Sequence, residues 1–207
     1  MLKKTHIATG CAVTLAVFQP HNYSDMLLSL LTGMIGSEIA DIDSATSKSH
    51  KDADIICTTA ITSILAILFV DAKLNTGIVK QIINNSSYFQ MLVGCFLFLG
   101  ICMYGKEKPH RTFMHSLVGL VTLTGSMWIA FSSLAKYFCV GYVSHIALDT
   151  LNKKNLQLFY PIKRGFCLNV CKSNGKTNAI IGYVSTIILV LEIMSFLTKN
   201  PYMGFRL

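Results

Sequence analysis

The chain has 207 residues, of which 52% are hydrophobic and only 14% are charged, and its mean hydropathy is +0.52. Soluble domains carry about 25% charged residues, so this composition excludes an ordinary soluble protein and predicts an integral membrane protein. The formal net charge of +8 does not require a nucleic-acid partner, because basic residues beside anionic lipid headgroups account for it.

Apolar runs predict seven helical segments in chain order, with a polar stretch over residues 152–178 between the last two. The prolines all fall between runs, where helices end. Runs 113–134 and 179–197 are long enough to cross about 30 Å of hydrocarbon. We therefore predict one domain over residues 1–207, an all-α polytopic bundle with about five to seven membrane helices. The predicted segments are 7–18, 26–40, 55–70, 88–104, 113–134, 137–151 and 179–197.

The second segment has a face of small residues, formed by Gly33, Gly36, Ser37 and Ala40. Small side chains let helix backbones approach closely inside a membrane, so this face predicts tight packing against a neighbouring helix. The first two segments are short and are joined by residues 19–22, which predicts a tight helical hairpin.

Basic residues are unevenly divided between alternate loops. If the amino terminus is cytoplasmic and all seven segments cross, thirteen of the 18 Lys and Arg residues lie inside and five outside. This bias predicts that orientation, since positive charge accumulates in cytoplasmic loops. The same topology places every unusual ionisable residue at the cytoplasmic end of a helix. These residues are His6, Asp41, Asp43, His110, His115, His145 and Asp149.

Imidazoles and carboxylates are sufficient ligands for a hydrolytic metal centre such as Zn²⁺, without any thiolate. His145 and Asp149 are four residues apart and project from one helix face. Asp41 and Asp43 repel each other unless a cation or a proton separates them. Each pair also has an ordinary interpretation, as a hydrogen-bonded core couple or a solvated helix end. Their convergence at one membrane surface favours a polynuclear metal site instead.

Four sequence blocks carry a resemblance to a known family. They are Thr5-His6, ADID at 40–43, HRTFMHS at 110–116 and GYVSHIALD at 141–149. In this order they resemble the YdjM-like family of bacterial membrane-bound metal-dependent hydrolases, although Ala40 stands where the family usually has proline. The resemblance implies a multi-pass protein of the bacterial cytoplasmic membrane, and the charge bias above predicts that its amino terminus and metal site lie on the cytoplasmic side.

The family is in turn distantly similar to zinc-dependent phospholipase C, which implies two or three zinc ions. By that resemblance His145 and Asp149 come first as ligands and His115 next, with Asp41 as a bridging carboxylate. Asp43 is implied either as a ligand or as the general base. Arg111 is implied to stabilise an anionic transition state during attack by a metal-activated water.

We therefore expect a phosphoesterase acting on a phospholipid or a lipid-linked substrate, with membrane lipid as its partner. Two alternatives remain open, a divalent-metal transporter and a non-catalytic protein in which ions hold the helices together. Glu38 is a further acid near the site that needs a partner, and a metal is one possibility. Cys167 and Cys171 have the wrong spacing for a usual zinc pair. The oligomeric state is not predicted.

Overall fold

Six α-helices form most of the structure, a computed structural model that describes residues 2–44, 69, 73, 85–172 and 175–199. Two short 3₁₀ turns, Ala40–Asp43 and Phe113–His115, lie between helices. No strand occurs in the described part of the chain, which confirms the all-α class. The helices are α1 Lys3–Phe18, α2 Tyr23–Ile39, α3 Ser86–Lys106, α4 Leu117–Ala130, α5 Ser132–Thr150 and α6 Lys176–Lys199.

Side-chain caps fix several of the helix starts. The side chain of Asn22 accepts a hydrogen bond from the Asp25 backbone N–H at 2.7 Å, which caps α2. Ser116 does the same for α4 by accepting from the Gly119 N–H at 3.1 Å. At the other end of α1, Gln19 adopts a left-handed conformation with φ 41°, which ends the helix and starts the turn into α2.

The apolar run 113–134 does not form one helix, so its prediction as a single span is wrong. The backbone is extended at Ser116 and leaves the helical region again at Phe131, which isolates the 14-residue helix α4. Such a helix is about 21 Å long and is too short to cross about 30 Å of hydrocarbon alone.

Within the part of the chain that the structure describes, two helices are long and apolar enough to span a membrane, namely α3 with mean hydropathy 1.7 and α6 with 2.2. They contain the predicted segments 88–104 and 179–197. Only 11% of the most apolar stretch of each helix is buried inside the bundle, as in helices in contact with lipid. The predicted segment 55–70 lies outside the described residues, so the number of spans stays a prediction.

Helices α2 and α5 pack with their backbones in contact. A Cβ atom added at Gly36 would collide with the backbone carbonyl of Phe138, and one added at Gly141 would collide with that of Gly33. The predicted small-residue face of α2 is therefore confirmed, with α5 as its partner. This packing brings the end of α2 beside the end of α5, where the candidate site lies.

Residues 152–172 join α5 to α6 without helical structure, and we call them the connecting segment. Leu156 and Phe166 exchange two backbone hydrogen bonds of 2.9 and 2.7 Å within it. Leu156 is fully buried in a core with Phe138, Tyr142 and other apolar residues. The segment is thus anchored on the bundle at the end that carries the candidate site.

Candidate metal centre

The structure brings all seven predicted ionisable residues to one end of the bundle. His6 lies in the first turn of α1, and Asp41 and Asp43 lie on the 3₁₀ turn that follows α2. His110 precedes the second 3₁₀ turn, which contains His115. His145 and Asp149 lie in the last two turns of α5.

His6, His145 and Asp149 form one group, which we call the enclosed group. Their potential ligand atoms all lie within 4.8 Å of one another, and all three residues are buried. His6 Nε2 lies 3.3 Å from Asp149 Oδ1, and the His6 ring stacks on the His145 ring at 3.9 Å. The group joins the start of α1 to the end of α5.

Asp41, His110 and His115 form a second group, which we call the open group. Their potential ligand atoms also lie within 4.8 Å of one another. His115 is fully buried, but 38% of the His110 side chain and 23% of the Asp41 side chain are exposed. A molecule outside the bundle can therefore reach this group directly.

The two groups are adjacent rather than separate. His115 Nε2 lies 3.3 Å from His145 Nε2, and Asp41 Oδ1 lies 3.8 Å from both of these nitrogens. Asp149 Oδ2 lies 3.6 Å from His115 Nε2. The predicted proximity of the residues is therefore confirmed, while their roles as ligands stay predictions.

Two of the histidines are held by a hydrogen bond on the nitrogen that faces away from the groups. His145 Nδ1 lies 2.6 Å from the Ser37 carbonyl oxygen, and a carbonyl can only accept, so Nδ1 carries the proton. His110 Nδ1 donates in the same way to Asp43 Oδ1 at 2.7 Å. In the neutral rings both Nε2 atoms then have a lone pair available, as in metal-binding histidines.

Asp43 is fully buried and surrounded by donors. Its Oδ1 accepts from His110, its Oδ2 accepts from the Arg111 backbone N–H at 3.1 Å, and Oδ2 lies 3.3 Å from His115 Nδ1. Asp43 belongs to neither group of candidate ligand atoms. These contacts are those of a residue that orients two histidines, and the sequence alone had left only a ligand or a general base in view.

Asp43 and His115 shift each other's pKa in opposite directions. Burial alone would raise the pKa of the Asp43 carboxyl, but hydrogen bonds with His110 and His115 outweigh it and hold the pKa below its ordinary value. Burial likewise disfavours a charged His115, but the Asp43, Asp149 and Asp41 carboxylates together outweigh burial and raise the pKa of the imidazole. Asp43 therefore keeps its negative charge at neutral pH.

Arg111 sits beside the enclosed group in an uncommon conformation. Its backbone is left-handed with φ 69°, which costs an L-residue roughly 1–2 kcal/mol. Its guanidinium contacts Asp149 Oδ2 at 3.2 Å and donates to the Lys154 carbonyl at 2.9 Å. Its Nε is buried and has no hydrogen-bond partner among the described residues. Arg111 therefore lies beside the enclosed group and pairs with Asp149, while its catalytic role stays a prediction.

The donor set fits a divalent metal such as zinc. Ligand bonds to zinc by nitrogen and oxygen are about 2.0–2.2 Å long, so the ligands of one ion lie within about 4–5 Å of one another. Both groups meet this condition, and together they offer four imidazoles and two carboxylates. The number of ions and their identity stay predictions.

Other residues considered from the sequence lie outside both groups. Glu38 forms a salt bridge with Lys3 at 3.1 Å, so the partner that it needs is a lysine. Cys171 donates to the Leu151 carbonyl at 3.4 Å, and neither Cys171 nor Cys167 joins a candidate metal group. His21 lines a cavity between α1, α2 and α6 at the opposite end of the bundle.

Comparison with known proteins places the chain in a family. A family model described as YdjM inner membrane protein matches residues 1–203. The chain therefore belongs to the YdjM inner membrane protein family, as the four sequence blocks indicated. No curated protein and no solved structure matches the chain. The similarity to zinc-dependent phospholipase C stays a prediction.

Proposed function

We propose that this inner membrane protein is a metal-dependent hydrolase that cleaves a phosphate ester of a lipid or of a lipid-linked molecule. One observation supports the proposal above all. Two adjacent groups of His and Asp ligand atoms share one end of the bundle, and one of them opens to the outside through Asp41 and His110. A metal site that only holds a structure together is closed by protein ligands, whereas a catalytic site keeps a position open.

His6, His145 and Asp149 would hold one ion, and Asp41, His110 and His115 a second. Ions there would supply a hydrolytic nucleophile at neutral pH and Lewis-acid polarisation of the ester. The protein contributes orientation, since the Ser37 carbonyl and the Asp43 carboxylate hold the His145 and His110 rings.

A phosphate ester suits the positive charge beside the two adjacent groups. Arg111 keeps one N–H donor without a partner among the described residues, and a guanidinium can hold a phosphate in two-point contact. Lys163 and Arg164 are exposed and Lys108 is half-buried, all three in loops, and such a basic rim would concentrate anionic lipids.

Hydrolysis should be measured on the full-length protein in nanodiscs that contain anionic lipid, before and after zinc is removed and restored. The substrates are phosphodiesters, phosphomonoesters and carboxylic esters. We expect zinc-dependent cleavage of a phosphate ester, and we expect the His110→Ala protein to lose this activity. The matched control is His21→Ala, because His21 lies at the other end of the bundle and should retain full activity.

Other results would assign a different function. Activity confined to carboxylic esters would overturn the phosphate ester as substrate. Bound zinc without activity on any of these substrates would identify ions that only hold the helices together. Zinc movement into sealed vesicles would instead indicate a transporter.

A further inference from the structure

The connecting segment presents an apolar outer surface at the end of the bundle that carries the metal centre. Ile162 and Val170 expose 59% and 60% of their surface, and Phe159 and Leu168 also expose more than half. Several large apolar side chains exposed within one short segment normally mark a contact with a membrane or with another protein. The helices that cross the bilayer do not account for it, because these residues lie in non-helical chain between α5 and α6.

The same segment is strongly basic. It contains five Lys and Arg residues and no Asp or Glu, so its formal charge is +5. All five are exposed, at Lys153, Lys154, Lys163, Arg164 and Lys172. Apolar side chains interleaved with basic ones are typical of protein surfaces that lie at the level of anionic lipid headgroups.

The segment holds this surface in a defined shape. Its middle is closed by the two backbone hydrogen bonds between Leu156 and Phe166, and its second half is tied to α5 by Leu168 N–H donating to the Thr150 carbonyl at 2.7 Å. Leu156 is completely buried. The buried anchor and the backbone bonds leave the apolar residues directed outward rather than folded onto the core.

The segment is also continuous with the metal centre. Gln157 N–H donates to the Arg111 carbonyl at 3.0 Å, while the Arg111 guanidinium donates to the Lys154 carbonyl at 2.9 Å. Leu117 N–H, at the start of α4, donates to the Leu158 carbonyl at 2.9 Å. The segment that carries the outer surface is thus joined to Arg111 by direct hydrogen bonds.

We propose that the connecting segment docks into the headgroup layer of an anionic lipid leaflet and holds that leaflet beside the open group. The apolar side chains enter the boundary between headgroups and acyl chains, and the basic side chains pair with the phosphates. The inference rests on the proposed function for its lipid substrate, but its test requires neither a bound metal nor catalytic turnover.

The test places a tryptophan in the segment and measures its contact with lipid. Trp128 is the only tryptophan, so Trp128→Phe removes the native tryptophan fluorescence. Phe159→Trp is then introduced as the reporter, with Ile162→Trp as a second reporter in a separate protein. The full-length protein is placed in phosphatidylcholine nanodiscs with increasing amounts of phosphatidylglycerol brominated in its acyl chains. We expect quenching of both reporters, at lower lipid fractions than with brominated phosphatidylcholine.

Charge variants test whether the headgroup matters. Lys163→Gln with Arg164→Gln should raise the fraction of phosphatidylglycerol needed for half-maximal quenching about fivefold or more, because each basic residue adds to binding at an anionic surface. Lys136→Gln, at the opposite end of α5, should leave it unchanged. Absence of quenching by either lipid in both reporters would overturn the proposal in favour of water or a protein partner. Equal quenching by the two lipids would overturn the anionic preference.

Discussion

Asp43 shows how one buried residue can organise a site without facing a ligand. In Asp43→Asn only one oxygen remains, and the new amide N–H₂ donates and cannot accept a hydrogen bond. If it replaces Oδ1, His110 loses the acceptor that fixes its tautomer, and if it replaces Oδ2, it faces the Arg111 N–H and the His115 ring. We expect zinc affinity, measured by competition with a chelator, to fall about 10- to 100-fold.

The control for this change is Asp25→Asn, at the start of α2, where the carboxylate accepts a hydrogen bond from the Asn22 side chain at 2.9 Å. Its zinc affinity should equal that of the unchanged protein. An Asp43→Asn protein that binds zinc normally but has lost turnover would show that Asp43 is a general base, and our interpretation of its contacts would be wrong.

Arg111→Lys separates geometry from charge at the same site. A lysine keeps the positive charge near Asp149 but cannot also reach the Lys154 carbonyl as the planar guanidinium does. Phosphate ester turnover should fall on the order of 100-fold while zinc content, measured on the same preparation, stays near that of the unchanged protein. Arg164→Lys, on the exposed surface, should alter neither quantity. A parallel loss of zinc in Arg111→Lys would assign Arg111 to the support of Asp149 instead.

At the scale of residues, the sequence predicted which side chains lie close together, but not which of them form the enclosed group and which the open group. The types and positions of the ionisable residues were sufficient, because His and Asp are rare at helix ends that face a membrane. The division into enclosed and open groups depends on the rotation of each helix and on the 3₁₀ turn after α2. The Ser37 carbonyl that holds His145 could not be predicted, since a backbone atom leaves no trace in residue identity.

At the scale of helices, the contact between α2 and α5 should control both stability and the site. Gly36→Leu would drive a side chain into the Phe138 carbonyl and separate the two helices. We expect a loss of at least about 1–3 kcal/mol in unfolding free energy, together with weaker zinc binding, because Asp41 moves away from His145. Thermal unfolding in detergent, monitored by helical circular dichroism, gives the first quantity.

Gly100→Leu is the matched control for this substitution. Gly100 also lies within a helix, but no atom lies within 4 Å of a Cβ built on it. The substitution should be neutral or stabilising by up to about 1 kcal/mol, since leucine has the higher helix propensity. Equal destabilisation by both substitutions would show that close packing of α2 on α5 is not the cause.

The apolar runs predicted helices such as α3 and α6 well. They failed at the run 113–134, where the capping residue Ser116 interrupts the helix. Hydropathy cannot register the extended backbone at Ser116, because the flanking residues are as apolar as those of a continuous span. The small-residue face of α2, in contrast, was visible in the sequence since close approach of two backbones requires glycine at particular spacings.

At the scale of the whole molecule, the distribution of basic residues predicts that the metal centre faces the cytoplasm. Lys136 lies near the start of α5 and the centre lies at its end, about 20 Å away along the helix. In a cysteine-free background, Lys136→Cys should react with a membrane-impermeant maleimide in intact cells. Lys108→Cys should react only after the cells have been permeabilised. Labelling of both in intact cells would contradict the predicted orientation.

The family and the helical architecture could both be predicted from sequence, because four short blocks and seven apolar runs extend over most of the chain. The number of membrane crossings could not, since it depends on whether short helices such as α4 and α1 cross alone or together with their neighbours.

The enclosed group also has a consequence for how the protein is made. His6 enters the membrane with the first helix, whereas Asp149 and His145 arrive only when α5 has been synthesised. Until then His6 lacks the Asp149 carboxylate with which it pairs, and a truncated chain that lacks α5 cannot complete the group. A metal held by this group would therefore be acquired only after α5 has been synthesised.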